Sequence, residues 1–108
     1  MRDEPRLIQW DPGYLKNPWT GNVVAMGLAG GFIDPLESNA LFMIQFSITN
    51  LARCLQRGIG ADGYNRMMRK VWNDNVQFIQ HHYMLSEKTD SDFWKYYNKF
   101  DCTKSLWE

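Results

Sequence analysis

The residues able to do chemistry gather between Gly27 and Ala40, in the run GLAGGFIDPLESNA. Gly27, Gly30 and Gly31 leave a length of backbone with little side-chain bulk. Asp34 and Pro35 predict a helix start directly after it, because aspartate accepts from free backbone N–H groups and proline fits the first helical turn. Glu37 follows Asp34 by three residues and completes a D-x-x-E capping box. A bare loop feeding a helix N-terminus can hold an anion or a flat ligand: the backbone comes close, and the first N–H groups carry partial positive charge. From local spacing alone Glu37 reads as a capping residue, and Gly30 and Gly31 as a tight turn.

His81 and His82 are the only histidines of the chain. Neighbours on a helix point about 100° apart, so the two cannot grip one ion from one face. No cysteine or carboxylate is spaced to complete a set, and the pair reads as packing rather than as a metal site.

The elements that must position these residues follow from periodicity. Asn22 to Leu28 is a short apolar run without alternation, which predicts a strand buried on both faces. Residues 1–17 are polar and broken by Pro5 and Pro12-Gly13, so they read as irregular. A turn is expected at Asp11-Pro12-Gly13-Tyr14, and Leu7, Ile8 and Trp10 form a weak edge-strand candidate. A helix is expected over 35–57, with Leu36, Ala40, Met43, Ile44, Ile48, Leu51 and Leu55 on its core face and Gly58 and Gly60 ending it. A second is expected over 62–83, with Tyr64, Met68, Val71, Trp72, Asn75, Ile79 and His82 or Tyr83 keeping the same period. A third, over about 90–100, opens on a Thr89/Asp92 capping box.

The fold class is therefore mainly α with one short buried strand. Such a strand has no sheet of its own in this chain, and its unpaired N–H and C=O groups would be costly when buried. The missing sheet partners are expected from the rest of a longer protein or from another chain.

Bulk numbers bound the function. At 108 residues the chain is one domain at most, and 44% hydrophobic with 15% aromatic residues suffices for a core. Twelve basic residues balance 12 acidic ones, so no long-range field favours nucleic acid or an anionic membrane. No apolar run is long enough to span a bilayer, and Met1 is followed by RDEPR rather than an apolar leader. Cys54 and Cys102 are isolated, which suits reduced thiols in the cytoplasm.

The segment GNVVAMGLAGGFIDPLES resembles the stretch of flavin-dependent (tryptophan) halogenases that reads roughly N-C-V-A-I-G-L-A-x-G-F-x-E-P-L-E-S-T. Phe78-Ile79-Gln80-His81-His82-Tyr83 and then Asp90-Ser91-Asp92-Phe93-Trp94 are similar to the family's D-F-I-x-x-H-Y … D-S-P-F-W stretch, in the right order. The resemblance covers about residues 19–94 and the middle-to-late part of the family's much longer enzymes. It implies a partial piece of an α/β FAD-binding, flavin-monooxygenase-like fold: residues 1–34 as the end of the FAD-binding module, residues 35–108 as a helical, substrate-side region.

By this resemblance Glu37 falls on the catalytic glutamate, Leu28, Gly30, Gly31 and Leu41 on positions near the flavin, and Asn39 and Ala40 on the backbone turn that holds the halide. Where the family has Thr-Gly or a similar small pair, Asn39 adds bulk and Ala40 restricts the backbone. The implied chemistry is halogenation of an aromatic, indole-like substrate. It uses reduced FAD from a separate flavin reductase, oxygen and a halide, with Glu37 orienting the halogenating species and taking the ring proton. The family's N-terminal G-x-G-x-x-G fingerprint, its catalytic lysine, its tryptophan-rich motif and the aromatic clamp for tryptophan have no counterpart here, so this chain alone is expected to be inactive. Alternatives remain open: a non-catalytic helical interaction module derived from a halogenase, the product of a truncated gene, or part of a related flavin monooxygenase that hydroxylates its substrate.

Overall fold

The computed structural model describes residues 4–99. Two long helices carry it: α1, Asn39–Arg57, and α2, Ala61–Met84. A short helix α3, Asp92–Tyr97, follows. Ahead of α1 an irregular strap holds four two-residue strands. β1 (Gly13–Tyr14) pairs antiparallel with β4 (Gly31–Phe32), and β2 (Trp19–Thr20) with β3 (Val23–Val24). No helix among the described residues is long and apolar enough to cross a membrane.

All three expected helices are present, with shifted starts. α1 begins at Asn39 rather than at Pro35, after a separate 3-10 turn at Leu36–Ser38. It stops where glycine predicted, with the Gly58 N–H donating to the Cys54 and Leu55 carbonyls. α3 starts after Ser91, whose hydroxyl accepts from the Trp94 N–H, rather than through a Thr89/Asp92 box. It ends at Tyr97, with Asn98 and Lys99 in a turn, short of the expected end near 100; residue 100 itself and Cys102 lie outside the described residues.

The doubly buried strand over 22–28 is corrected. Only Val23–Val24 pairs as a strand; it folds back on Trp19–Thr20 in a hairpin, and Val23 is 65% exposed. Gly27, at a φ of +59° that other residues avoid, then bends the chain into a 3-10 turn over Gly27–Ala29. The strand expectation failed because an apolar run records burial propensity and not hydrogen-bond partners, and here local turns bring the partners from within the chain. The Asp11–Tyr14 turn is likewise corrected in part, since Gly13 and Tyr14 form a ladder with β4.

The strap is fastened along one line of α2. Tyr14 stacks on Trp72, 5.4 Å between ring centroids and 3° from parallel, and its hydroxyl donates to Asn73. Trp19 meets Tyr64 edge-on at 5.7 Å. Asn65 serves both backbone groups of Trp19: its Oδ1 accepts from the N–H at 2.8 Å and its Nδ2 donates to the carbonyl at 2.9 Å. Arg69 donates to the Lys16 carbonyl and to Asn17 Oδ1. Asn65, Arg69 and Asn73 lie four residues apart on one face of the helix, and Tyr64 and Trp72 stand directly beside that line. Asn65→Ala strands two partly buried backbone groups and is expected to cost about 2 kcal/mol, read as a lower urea midpoint at unchanged slope.

The core consists of Met43, Cys54, Tyr64, Met68 and Trp72, with Trp19, Val24, Ile33 and Leu51 packed around it. For α2 the expected core face holds. For α1 it is turned: Ile48 and Leu55 are 55% and 64% exposed, while Asn39, Ser47 and Asn50 are buried against the interior. The Tyr64 hydroxyl is buried beside Ser47 without completing a hydrogen bond, and burial, more than any neighbour, pushes its pKa up. Apolar residues on α1 thus cover more of its circumference than α2 can bury. The radius of gyration, 17.2 Å, agrees; a closed domain of about 100 residues has about 13 Å.

Candidate functional site

Between the β2–β3 hairpin and α1 the chain runs through β4, Ile33, Asp34 and Pro35 into the Leu36–Ser38 turn. Asp34 does not cap a helix with Glu37. Its Oδ1 accepts from the Leu36 N–H at 2.9 Å, closing a local Asx-type turn. The capping box is corrected: Glu37 and Ser38 both have left-handed backbones, at φ 54° and 57°, so the Glu37 side chain cannot fold back as a helical N3 residue would. Asp-Pro is itself a turn signal, and that signal was the better guide.

Two consecutive left-handed residues with side chains are costly, roughly 1–2 kcal/mol each. They are the only non-glycine residues with positive φ among those described. Strain of this kind collects at functional sites, where the surroundings over-determine it. Glu37 and Ser38 are exposed, and Ser38 makes no side-chain cap on α1. Ser38→Gly is expected to raise stability by about 1 kcal/mol, measured by thermal or urea unfolding.

Asn39 and Ala40 open α1. The Asn39 N–H donates to the Leu36 carbonyl, so it is engaged within the turn. The Asn39 side chain is buried and its Nδ2 has no partner among the described residues, which leaves an amide NH2 free to donate beside the helix start. Leu41 lies one residue further on and is 65% exposed.

Leu28, Gly30 and Gly31 come together elsewhere. They line an open groove of about 720 Å³ with Ile8, Trp10, Tyr14 and Phe32. Leu28 is exposed on its rim, and Trp10 meets Phe32 edge-on at 5.8 Å. Much of the glycine bareness is used by the protein itself. A Cβ on Gly31 would lie 2.6 Å from Tyr14 Cβ and 2.9 Å from Trp72 Cζ2, and one on Gly30 would lie 3.1 Å from the Ala25 carbonyl oxygen. The structure therefore forms two groups, one at the head of α1 with Glu37, Asn39, Ala40 and Leu41, the other in the groove. Two of the groove's aromatic walls, Trp10 and Tyr14, come from residues 8–14, a stretch that reads as irregular in sequence.

His81 and His82 bind their own helix. Their Nδ1 atoms face the carbonyls of Gln77 and Phe78, and no cluster of metal-ligating side chains occurs among the described residues.

An apolar groove and a strained turn at a helix start are features on which flat or anionic small molecules can dock. The chain belongs to the tryptophan halogenase family, whose profile matches residues 1–108. It is 33% identical over 92 residues to tryptophan 7-halogenase KtzQ of Kutzneria sp. (strain 744), covering 82% of this chain and 17% of that protein. It is 30% identical over 92 residues to tryptophan 6-halogenase ThaL of Streptomyces albogriseolus, again 82% of this chain and 17% of the relative. Among solved structures it superposes on BrvH, a flavin-dependent halogenase from Brevundimonas sp. BAL3, with a TM-score of 0.80 at 33% identity, over 92% of this chain and 21% of that one. The chain thus spans about a fifth of the relatives it matches.

Proposed function

We propose that this chain supplies the catalytic turn of a flavin-dependent halogenase acting on an aromatic, indole-like substrate. The observation that carries the reading is the left-handed Glu37–Ser38 pair, a strained, exposed carboxylate-bearing turn in the segment that resembles the family's P-L-E-S. Glu37 is the proton acceptor for the halogenated ring. The head of α1, with the spare amide of Asn39 and the amides of Ala40 and Leu41, is the place for a halide. Leu28, Gly30 and Gly31 offer an apolar edge for a flavin, which fits in part, since Gly31 is bare chiefly for Tyr14 and Trp72. Bound reduced flavin with oxygen would supply the oxidising equivalent for the halide. A separate flavin reductase provides FADH2, and the cytoplasm suits the buried free Cys54.

Residues 1–34 belong with the flavin module and 35–108 with the substrate side. The exposed Leu41, Ile48 and Leu55 on α1 support a further layer of protein over that face, from a longer chain or a partner. By itself the 108-residue chain does not halogenate. The test gives the chain, and separately a full-length protein containing it, reductase-generated FADH2, oxygen, bromide and indole or tryptophan. Bromine's isotope doublet in the product from the full-length protein alone supports the reading, whereas a hydroxylated product would sink it in favour of a monooxygenase.

A further inference from the structure

We propose that Tyr83 and Asp34 form a clamp that positions Glu37, with Tyr83 acting from the far end of α2 as a positioning residue. The Tyr83 hydroxyl donates to Asp34 Oδ2 at 2.9 Å, across 49 residues of sequence. The other carboxylate oxygen, Oδ1, accepts from the Leu36 N–H at 2.9 Å. One aspartate therefore joins the end of α2 to the backbone one residue ahead of Glu37. A carboxylate with both oxygens engaged holds its donors about twice as strongly as a neutral acceptor does.

The tyrosine is itself fixed. Its ring packs against Phe93, edge-on at 5.8 Å, against Trp94 at 6.0 Å and against Tyr97 at 5.4 Å, so α3 sets where the hydroxyl points. Position thus passes from α3 through Tyr83 to Asp34 and on to the turn. The turn needs such support, because two left-handed residues with side chains revert to ordinary backbone unless the surroundings forbid it. The Ser38 N–H to Pro35 carbonyl bond, at 3.3 Å, is long and holds the turn weakly.

The electrostatic surroundings of Tyr83 agree. The hydrogen bond to Asp34, then burial, the Asp34 charge and Tyr97 push the phenol above the ordinary tyrosine value. Asp34 and Tyr97 are the titratable groups that act on it. A raised folded-state pKa means that the neutral, donating phenol is the favoured form in the fold. Its contribution is complete below about pH 10 and is lost as pH rises through the higher folded value.

The inference rests on the proposed function only in naming Glu37 as the working group, and the test separates the two. Amide spectra are recorded on the 15N-labelled 108-residue chain with Tyr83→Phe, Asp34→Asn and both together. Tyr83→Phe keeps the ring and removes only the donor. Asp34→Asn leaves one acceptor oxygen for two donors. The expected result is that each single change moves the amides of Leu36 through Asn39, while the double variant moves them no further than the larger single change. In Asp34→Asn the Tyr83 phenol also titrates closer to the ordinary tyrosine value. Unmoved Leu36–Asn39 amides in Tyr83→Phe, or shifts that add in the double variant, overturn the clamp. If Tyr83→Phe fails to fold, Asp34→Asn decides alone, and an unchanged phenol titration there overturns it as well. In a halogenating full-length protein, Tyr83→Phe is expected to lower kcat about ten- to a hundredfold with KM for the aromatic substrate unchanged. A clamp seen in the spectra beside a fully active Glu37→Gln enzyme would support the clamp and remove the function assigned to Glu37.

Discussion

Replacing Glu37 by Gln in a halogenating full-length protein is expected to lower turnover about 10²–10⁴-fold, the range that a positioned general base contributes. Glutamine matches glutamate in length and shape and, like it, is unbranched at Cβ. Its backbone bears the same left-handed strain at φ 54°, so the variant removes the proton acceptor without altering how the turn is held. Among the described residues the Glu37 side chain has no hydrogen-bond partner, and it is exposed. Stability and flavin affinity should therefore stay at their starting values while product formation falls. Steady-state product analysis beside flavin titration checks this, and undiminished turnover would refute the catalytic role. Glu37→Gly separates strain from chemistry in the other direction: it relieves the backbone and still removes the base, so a more stable protein with the same loss of turnover is expected.

Gly31→Ala carries the second large effect, on stability. A methyl group there would sit 2.6 Å from Tyr14 Cβ, 2.8 Å from Tyr14 Cα and 2.9 Å from Trp72 Cζ2, all closer than real contacts allow. Tyr14 Cα is backbone in the β1–β4 ladder, and Trp72 is 5% exposed in the core, so neither can move cheaply. The Tyr14–Trp72 stack must open or the ladder must part. We expect a loss of about 3 kcal/mol, the upper part of the usual range for overpacking, seen as a lower urea midpoint in tryptophan fluorescence. If Gly31 served only the approach of a flavin, the alanine variant would keep its midpoint and lose flavin affinity alone. An unchanged midpoint would therefore show that the packing account is wrong.

The apolar surface left on α1 has a physical reading of its own. Leu41, Ile48 and Leu55 recur every seven residues and are all more than half exposed. The polar Asn39, Ser47 and Asn50 lie on the buried side. A helix with apolar groups facing away from its own hairpin is one that packs between two layers. The chain spans about a fifth of the relatives it matches.

The sequence by itself determined the helices and the family. Periodicity located α1, α2 and α3 because a helix is specified by spacing and stop signals within one segment, and Gly58 ends α1 where it should. The D-P-L-E-S segment carried the likeness to the family because residue types within one segment are legible without knowledge of their partners. Tertiary structure alone decided the rest. It decided that Asp34 caps a tight turn rather than a helix, since Tyr83, 49 residues away, engages its second oxygen. It decided that Glu37 and Ser38 are left-handed, a conformation with no residue-type signature outside glycine and asparagine. It decided that residues 13–32 build their own small ladders along α2 instead of a buried central strand, because Tyr14, Trp19 and Asn17 find Trp72, Asn65 and Arg69 there. Spacing along a chain specifies local geometry; which face of α1 is buried, and what holds a strained turn, depends on partners that only the folded arrangement brings within reach.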